Sequence, residues 1–178
     1  MRSVVPDEVP EGGGGCSPGV AAGMASLAYA VPFFLSRSTT PSPDHPLVFA
    51  WYRRLRKAAF KPPDIAIPIA WLGIETGLAV AAYRLLRQPS SRQRNRALGW
   101  LAGNVLAIGG WSRLFFGGKN LSSSTVAAAA MVGVGAVYVQ QARRSDRVAA
   151  ASGVPLVAWV VFATVLTGAL WRLNPSDR

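Results

Sequence analysis

The residues best suited to chemistry in this chain are aromatic rather than ionisable. Six tryptophans (Trp51, Trp71, Trp100, Trp111, Trp159 and Trp171) stand in 178 residues. Each indole offers a large flat face for stacking and a single N–H donor. Trp111 and Phe115 are four apart and share one helix face, which Asn104 and Ile108 continue backwards. Trp159, Phe162 and Leu166 make a similar stripe. Such stripes serve either as helix packing or as the walls of a flat pocket for a planar apolar ligand. Glu75 is the sharpest single residue, one turn after Trp71 and in the middle of an apolar run. A carboxylate at bilayer depth costs about 2.5–3.5 kcal/mol even on lenient insertion scales. It is therefore expected to face a bundle interior, as a ligand or proton contact or bonded to a neighbour such as Asn104 or Thr76. Asn104 fits equally a pocket wall or a hydrogen bond between helices.

The remaining inventory excludes several chemistries. His45 is the only histidine and Cys16 the only cysteine. A zinc site, a histidine-based triad, a bis-histidine haem site and an intrachain disulfide are all ruled out. The net charge of +11 comes from 19 Lys+Arg against 8 Asp+Glu. Those cations cluster beside the apolar runs: Arg53, Arg54, Arg56 and Lys57, then Arg92, Arg94 and Arg96, then Arg143, Arg144 and Arg147. That placement fits anionic lipid headgroups and argues against nucleic acid.

The elements that must position these residues are membrane helices. The chain is 51% hydrophobic with a mean hydropathy of +0.27, and its apolar residues come in runs of the length that crosses hydrocarbon as a helix. The expected fold is an all-α membrane protein, a bundle of five transmembrane helices. The spans are placed at about 20–35, 64–86, 97–116, 125–141 and 148–173, within a domain covering 20–174. Residues 1–19 are expected as a disordered, Gly-rich tail and 175–178 as a short C-terminal tail. Ser17-Pro18 starts the first helix and Pro32 kinks or ends it. Asp64 is expected to cap the second helix and Ser122 to Ser124 the fourth. Small residues such as Ala127 to Ala130, Gly133 and Gly135 let helix backbones approach closely.

The order of these pieces resembles the TspO/MBR family of tryptophan-rich sensory and translocator proteins. Trp51-Tyr52, Leu55, Lys57, Phe60 and Pro62-Pro63 look like its loop motif, and Trp71 matches the tryptophan of its second helix. Trp111-Ser112, Leu114 and Phe115-Phe116 look like its WSxxFF motif. Pro155, Trp159, Phe162-Ala163, Trp171 and Leu173-Asn174 follow its last helix. The resemblance implies five helices, homodimers, and a pocket under the first loop that binds tetrapyrroles or sterols. Five pocket positions depart from the pattern: Ile65, Glu75, Ile108, Leu156 and Thr167 replace aromatic or amide residues. Those changes remove stacking area and hydrogen-bond donors.

The functional expectation is a membrane receptor or regulator for a small hydrophobic ligand, tetrapyrrole- or haem-like or sterol-like. The ligand would be held by Trp51, Trp71, Glu75, Asn104, Trp111, Phe115, Trp159 and Phe162. A carrier of such ligands is the alternative. Enzymatic porphyrin breakdown ranks below both, because nothing arranges a nucleophile, a base and an oxyanion site. No cofactor is required, and porphyrin or haem would enter as ligand. The expected partners are that ligand, the lipid bilayer and a second copy of the chain.

Overall fold

The computed structural model describes residues 14–175, and every regular element among them is helical. The helices are α1 (Pro18–Ala25), α2 (Leu27–Ser36), α3 (Pro46–Arg54), α4 (Ala66–Arg87), α5 (Arg92–Ser112), α6 (Leu121–Ala142) and α7 (Arg147–Leu173), with a π-helical turn at Arg113–Gly117 after α5. Of the expected N-terminal tail, residues 1–13 lie outside the described residues. Its last part is not loose: the Cys16 N–H donates to the Leu86 carbonyl and Arg87 donates to the Cys16 carbonyl. The helix then begins at Pro18. Of the expected C-terminal tail, only Pro175 is described.

Four rods are long and apolar enough to cross a membrane: Pro18–Ser36, Ala66–Arg87, Leu121–Ala142 and Arg147–Leu173. The composition therefore supports four spans where five were expected. The exception is α5, whose first five residues carry Arg92, Arg94 and Arg96 and whose body holds Asn104 and four glycines. Its length is nonetheless that of its neighbours. The rod Pro18–Ser36 is interrupted at Ser26, not at Pro32, which α2 passes through to Ser36. Ring order follows from the packing: α1–α2, α4, α7, α6, α5 and back to α1–α2.

Two capping expectations are corrected. α6 is capped by Asn120, whose Oδ1 accepts from the Ser123 N–H at 2.8 Å, ahead of the serines. Asp64 does not cap α4. It pairs with Lys61 at 2.5 Å, and Ile65 holds the cap position without a side-chain bond. The other caps follow ordinary chemistry, with Ser91 on α5 and Asp146 on α7.

Small residues set the closest approaches. A β-carbon on Gly77 of α4 would lie 2.9 Å from the Ser152 carbonyl oxygen of α7. One on Gly153 of α7 would lie 2.4 Å from the Tyr138 ring of α6. With lipid outside, helices gain little hydrophobic drive towards one another and hold by close contact. The core between them contains Leu78, Leu85, Leu101, Val105, Tyr138, Leu156 and Val160.

Asp146 ties the α6–α7 turn to α4. It accepts from the Ala149 N–H at 2.8 Å and from Gln88 at 3.0 Å, and pairs with Arg84 at 3.0 Å. Burial alone would raise its pKa, but the hydrogen bonds from Arg84 and Ala149 and the Arg84 charge hold it below the usual carboxylate value. A folded pKa below the unfolded one means that its stabilisation is complete above about pH 4 and is lost as the pH falls through the folded value. Asp146→Ala is expected to cost about 1–2 kcal/mol at neutral pH. Thermal unfolding of the detergent-solubilised proteins should show that gap narrowing on strong acidification.

Candidate functional site

The helix ends define two faces of the bundle. One carries the ends of α2, α5 and α7, the starts of α4 and α6, and the long loop with α3. The eight residues singled out from sequence divide into three groups relative to this loop end.

The first group closes the loop end. Trp51 of α3 is 2% exposed and meets Phe115 edge-on at 5.7 Å between ring centroids. Phe115 stacks on Trp111 at 4.9 Å with the planes 15° apart. The Trp111 indole N–H donates to the Ser124 carbonyl of α6 at 2.9 Å. The π-turn at Arg113–Gly117 adds one residue per turn, and both phenylalanines there reach the cluster. Phe116 packs on Phe115 at 4.8 Å and on Tyr52 at 5.7 Å. Sequence spacing placed Trp111 with Phe115 but did not bring in Phe116 or Tyr52, because i, i+3 and i, i+4 rules assume an unbroken α-helix.

The second group lines the α4–α7 seam. Trp71 and Trp159 meet edge-on at 6.3 Å, and Trp159 lies 5.5 Å from Phe162. Phe60, from the loop, reaches Phe162 at 6.4 Å. Trp71, Trp111 and Trp159 are all half-buried, and all three pack against the same core. Glu75 follows Trp71 on α4, half-buried. Neither neighbour weighed for it from sequence is its partner. Thr76 donates to the Leu72 carbonyl and accepts from Tyr29 at 2.6 Å, and the Asn104 amide is engaged elsewhere.

Asn104 stands apart as the third group. It is 1% exposed, and its Nδ2 donates to Trp100 O at 2.8 Å and to Val134 O of α6 at 3.4 Å. Its Oδ1 is buried without a partner among the described residues and faces Gly135. This residue joins α5 to α6. None of these bonds joins it to Trp71, Trp111 or Trp159.

A residue outside the sequence-based set holds the loop over both aromatic groups. Asn174, at the end of α7, is 6% exposed. Its Oδ1 accepts from the Arg56 N–H at 2.8 Å, and its Nδ2 donates to Arg56 O at 3.1 Å and Leu170 O at 2.8 Å. The side-chain amide thus copies one rung of a β-ladder. From Arg56 the loop descends beside α7 to Phe60, opposite Phe162. Twelve helical residues separate Phe162 from Asn174, about 18 Å along the axis. That descent brings Trp71, near the start of α4, level with Trp159 midway along α7. The loop is further fixed by Lys57, which donates to the carbonyls of Tyr52 and Leu55 and lies 4.4 Å from the Tyr52 ring centre. Burial, and then the Lys61 charge, draw the Lys57 pKa below its usual value.

The positions that replace aromatic or amide residues are quiet. Ile108 and Leu156 are buried in the core, Ile65 is exposed, and Thr167 bonds back to its own helix through the Ala163 carbonyl. Glu75 is the one ionisable residue within a helical turn of Trp71 on α4 or of Trp159 on α7. Elsewhere, an apolar groove of about 470 Å³ lies between α1–α2 and α5, with Leu27, Val31, Leu101 and Leu106 in its walls. None of the eight residues lines it.

Among known proteins, a translocator protein of Ovis aries is 26% identical over 132 residues, which cover 73% of this chain and 78% of that one. The CrtK protein of Rhodobacter capsulatus is 27% identical over 131 residues, 72% of this chain and 81% of its own. A tryptophan-rich sensory protein of Cereibacter sphaeroides is 28% identical over 124 residues, 70% of this chain and 77% of its own. The model of the TspO/MBR family matches residues 24–172. The chain, a helical integral membrane protein, belongs to the TspO/MBR family.

Proposed function

We propose that the protein is a membrane receptor or regulator that takes a planar, largely apolar ligand, tetrapyrrole- or sterol-like, beneath the loop. The observation that carries this reading is that Trp71 and Trp159 meet across the α4–α7 seam, and Trp111 packs on the same core from α5, under a loop locked by Asn174. The Trp71–Trp159 contact is edge-on and the Trp111–Phe115 contact stacked, each worth about 0.5–1.5 kcal/mol beyond burial. A flat ligand can exchange such contacts for its own at little cost. Glu75 offers an acceptor for a donor on the ligand.

This reading takes the bundle as five-spanning, with α5 as a membrane rod. Its segment Ala97–Phe116 is about 30 Å long, and it sits in the ring between α1–α2 and α6. The arginines at its start then lie at the headgroups. The names of the relatives point both ways, to a sensory protein and to a translocator. The receptor reading is favoured here because Glu75 is the one acid within the described spans, whereas a proton-coupled carrier needs a second state to hand the proton to.

Protoporphyrin titrated into the purified protein should quench tryptophan fluorescence saturably. Trp111→Ala and Glu75→Gln should each weaken the affinity, by about tenfold for the indole. Saturable quenching with an affinity unchanged in both variants would remove this site from consideration.

A further inference from the structure

At the end of the bundle opposite the loop, α4 and α5 are joined by residues 88–91 and α6 and α7 by residues 143–146. Between the two turns lies an open cavity of about 510 Å³, lined among others by Gln88, Ser91, Arg96, Gln141, Arg144 and Ser145. Its walls contain no large apolar side chain. Such a cavity takes a polar guest.

The charge of that guest follows from the side chains. Arg96 and Arg144 are exposed, and among the described residues neither has a carboxylate within ion-pair distance. Asp146 is the one carboxylate at this end among the described residues, and it is already engaged by Arg84, Gln88 and the Ala149 N–H. Two guanidiniums therefore face the cavity with no internal neutralisation, and guanidinium remains charged at any physiological pH.

A second observation lies in the cavity wall. The Oε1 of Gln141 and the Oγ of Ser145 are both buried and have no hydrogen-bond partner among the described residues. Buried polar atoms cost free energy unless something bonds them. A serine hydroxyl rotates to donate, and Gln141 offers the NH₂ of the same amide, whose nitrogen is not buried. Both can then serve an oxygen-rich anion lying against the arginines. A phosphate group meets all of these demands, with several acceptor oxygens and a planar match to guanidinium.

We propose that this cavity is a phosphate-binding site held by Arg96 and Arg144, with Gln141 and Ser145 as neutral donors. It sits where the polar turns meet the headgroup layer, so the phosphate belongs either to an anionic phospholipid or to a soluble phosphate-bearing molecule. The site lies on the opposite face from the aromatic group and does not depend on what binds there.

The test uses the full-length protein in detergent, with three probes in separate titrations: short-chain phosphatidylglycerol, short-chain phosphatidylcholine and inorganic phosphate. Binding is read by calorimetry and by native mass spectrometry. Phosphatidylglycerol or inorganic phosphate should bind saturably, and the double variant R96Q/R144Q should weaken that binding by about tenfold or more. Gln141→Leu should weaken it by less. The control R53Q removes a cation from the loop end and should leave binding unchanged. Tighter binding of phosphatidylglycerol than of the other two assigns the site to a lipid headgroup; tighter binding of inorganic phosphate assigns it to a soluble ligand. Absence of saturable binding by either anion, or an equal loss in R53Q, overturns the proposal. Helical circular dichroism of each variant checks that the fold persists, which surface positions such as Arg96 and Arg144 permit.

Discussion

Asn174→Ala is expected to accelerate tryptic cleavage within residues 53–57 by about thirtyfold while leaving the helical content unchanged. The wild-type amide satisfies both polar groups of the Arg56 peptide and the Leu170 carbonyl, at 2.8–3.1 Å. It is also buried, so water does not replace it freely. Alanine leaves the N–H and C=O of Arg56, whose bonds are part-buried, unpaired, together costing about 2 kcal/mol if the loop stays closed. The loop relieves that cost by opening, and a loss of about 2 kcal/mol in closure raises the open population by the stated factor. Arg53, Arg54, Arg56 and Lys57 supply the cleavage sites. Asn174→Asp keeps the acceptor for the Arg56 N–H and loses the donor, so its rate should fall between the two. Equal rates in all three proteins would mean that the loop is held by its aromatic contacts and not by this amide.

Gly153→Ala should destabilise the bundle by about 1–2 kcal/mol, against the usual sign of a glycine-to-alanine change in a helix. Intrinsic propensity favours alanine by about 1 kcal/mol. The opposing effect is steric. A β-carbon at Gly153 would lie 2.4 Å from Tyr138 Cε1 and 2.8 Å from Cδ1. The ring has no room to retreat, being fully buried with its hydroxyl bonded to the Ala149 carbonyl at 2.8 Å. Overpacking of this kind costs about 1–3 kcal/mol, and more where the neighbour is pinned. Gly133→Ala is the matched comparison, since its β-carbon would meet nothing within 4 Å. That variant should be neutral or more stable. Denaturant-induced unfolding in detergent micelles, followed by circular dichroism, separates the two. A stabilised Gly153→Ala would show that α6 and α7 are not in contact at this height.

Hydrophobic run length made the membrane character legible in the sequence, and for four of the rods it needed no tertiary information. Composition supports four spans and not the expected five, because arginines and glycines lower the hydropathy of α5, a helix as long as its neighbours. Helix starts were harder still. Asp64 and the serines at 122–124 are good cap residues by type, but Lys61 takes the first and Asn120 precedes the others. Competition of that sort is settled by local geometry that sequence spacing does not encode.

For the site, the helical period found the partners that share a helix, such as Trp111 with Phe115 and Trp159 with Phe162. It could not find Trp71 against Trp159, which depends on how far the loop descends beside α7. Nor could it find the Asn174–Arg56 pairing, across 118 positions of chain. Asn104 was singled out for its type and depth. Its amide is used between α5 and α6, one of the two roles weighed from sequence.

The most direct measurement of the central claim is a structure of the protein solved with protoporphyrin bound. The account predicts ligand density in contact with the indoles of Trp71, Trp111 and Trp159, beneath Trp51 and within hydrogen-bond reach of Glu75. Density confined to the groove between α2 and α5, against Leu27 and Leu106, with the indoles unmoved, would contradict it.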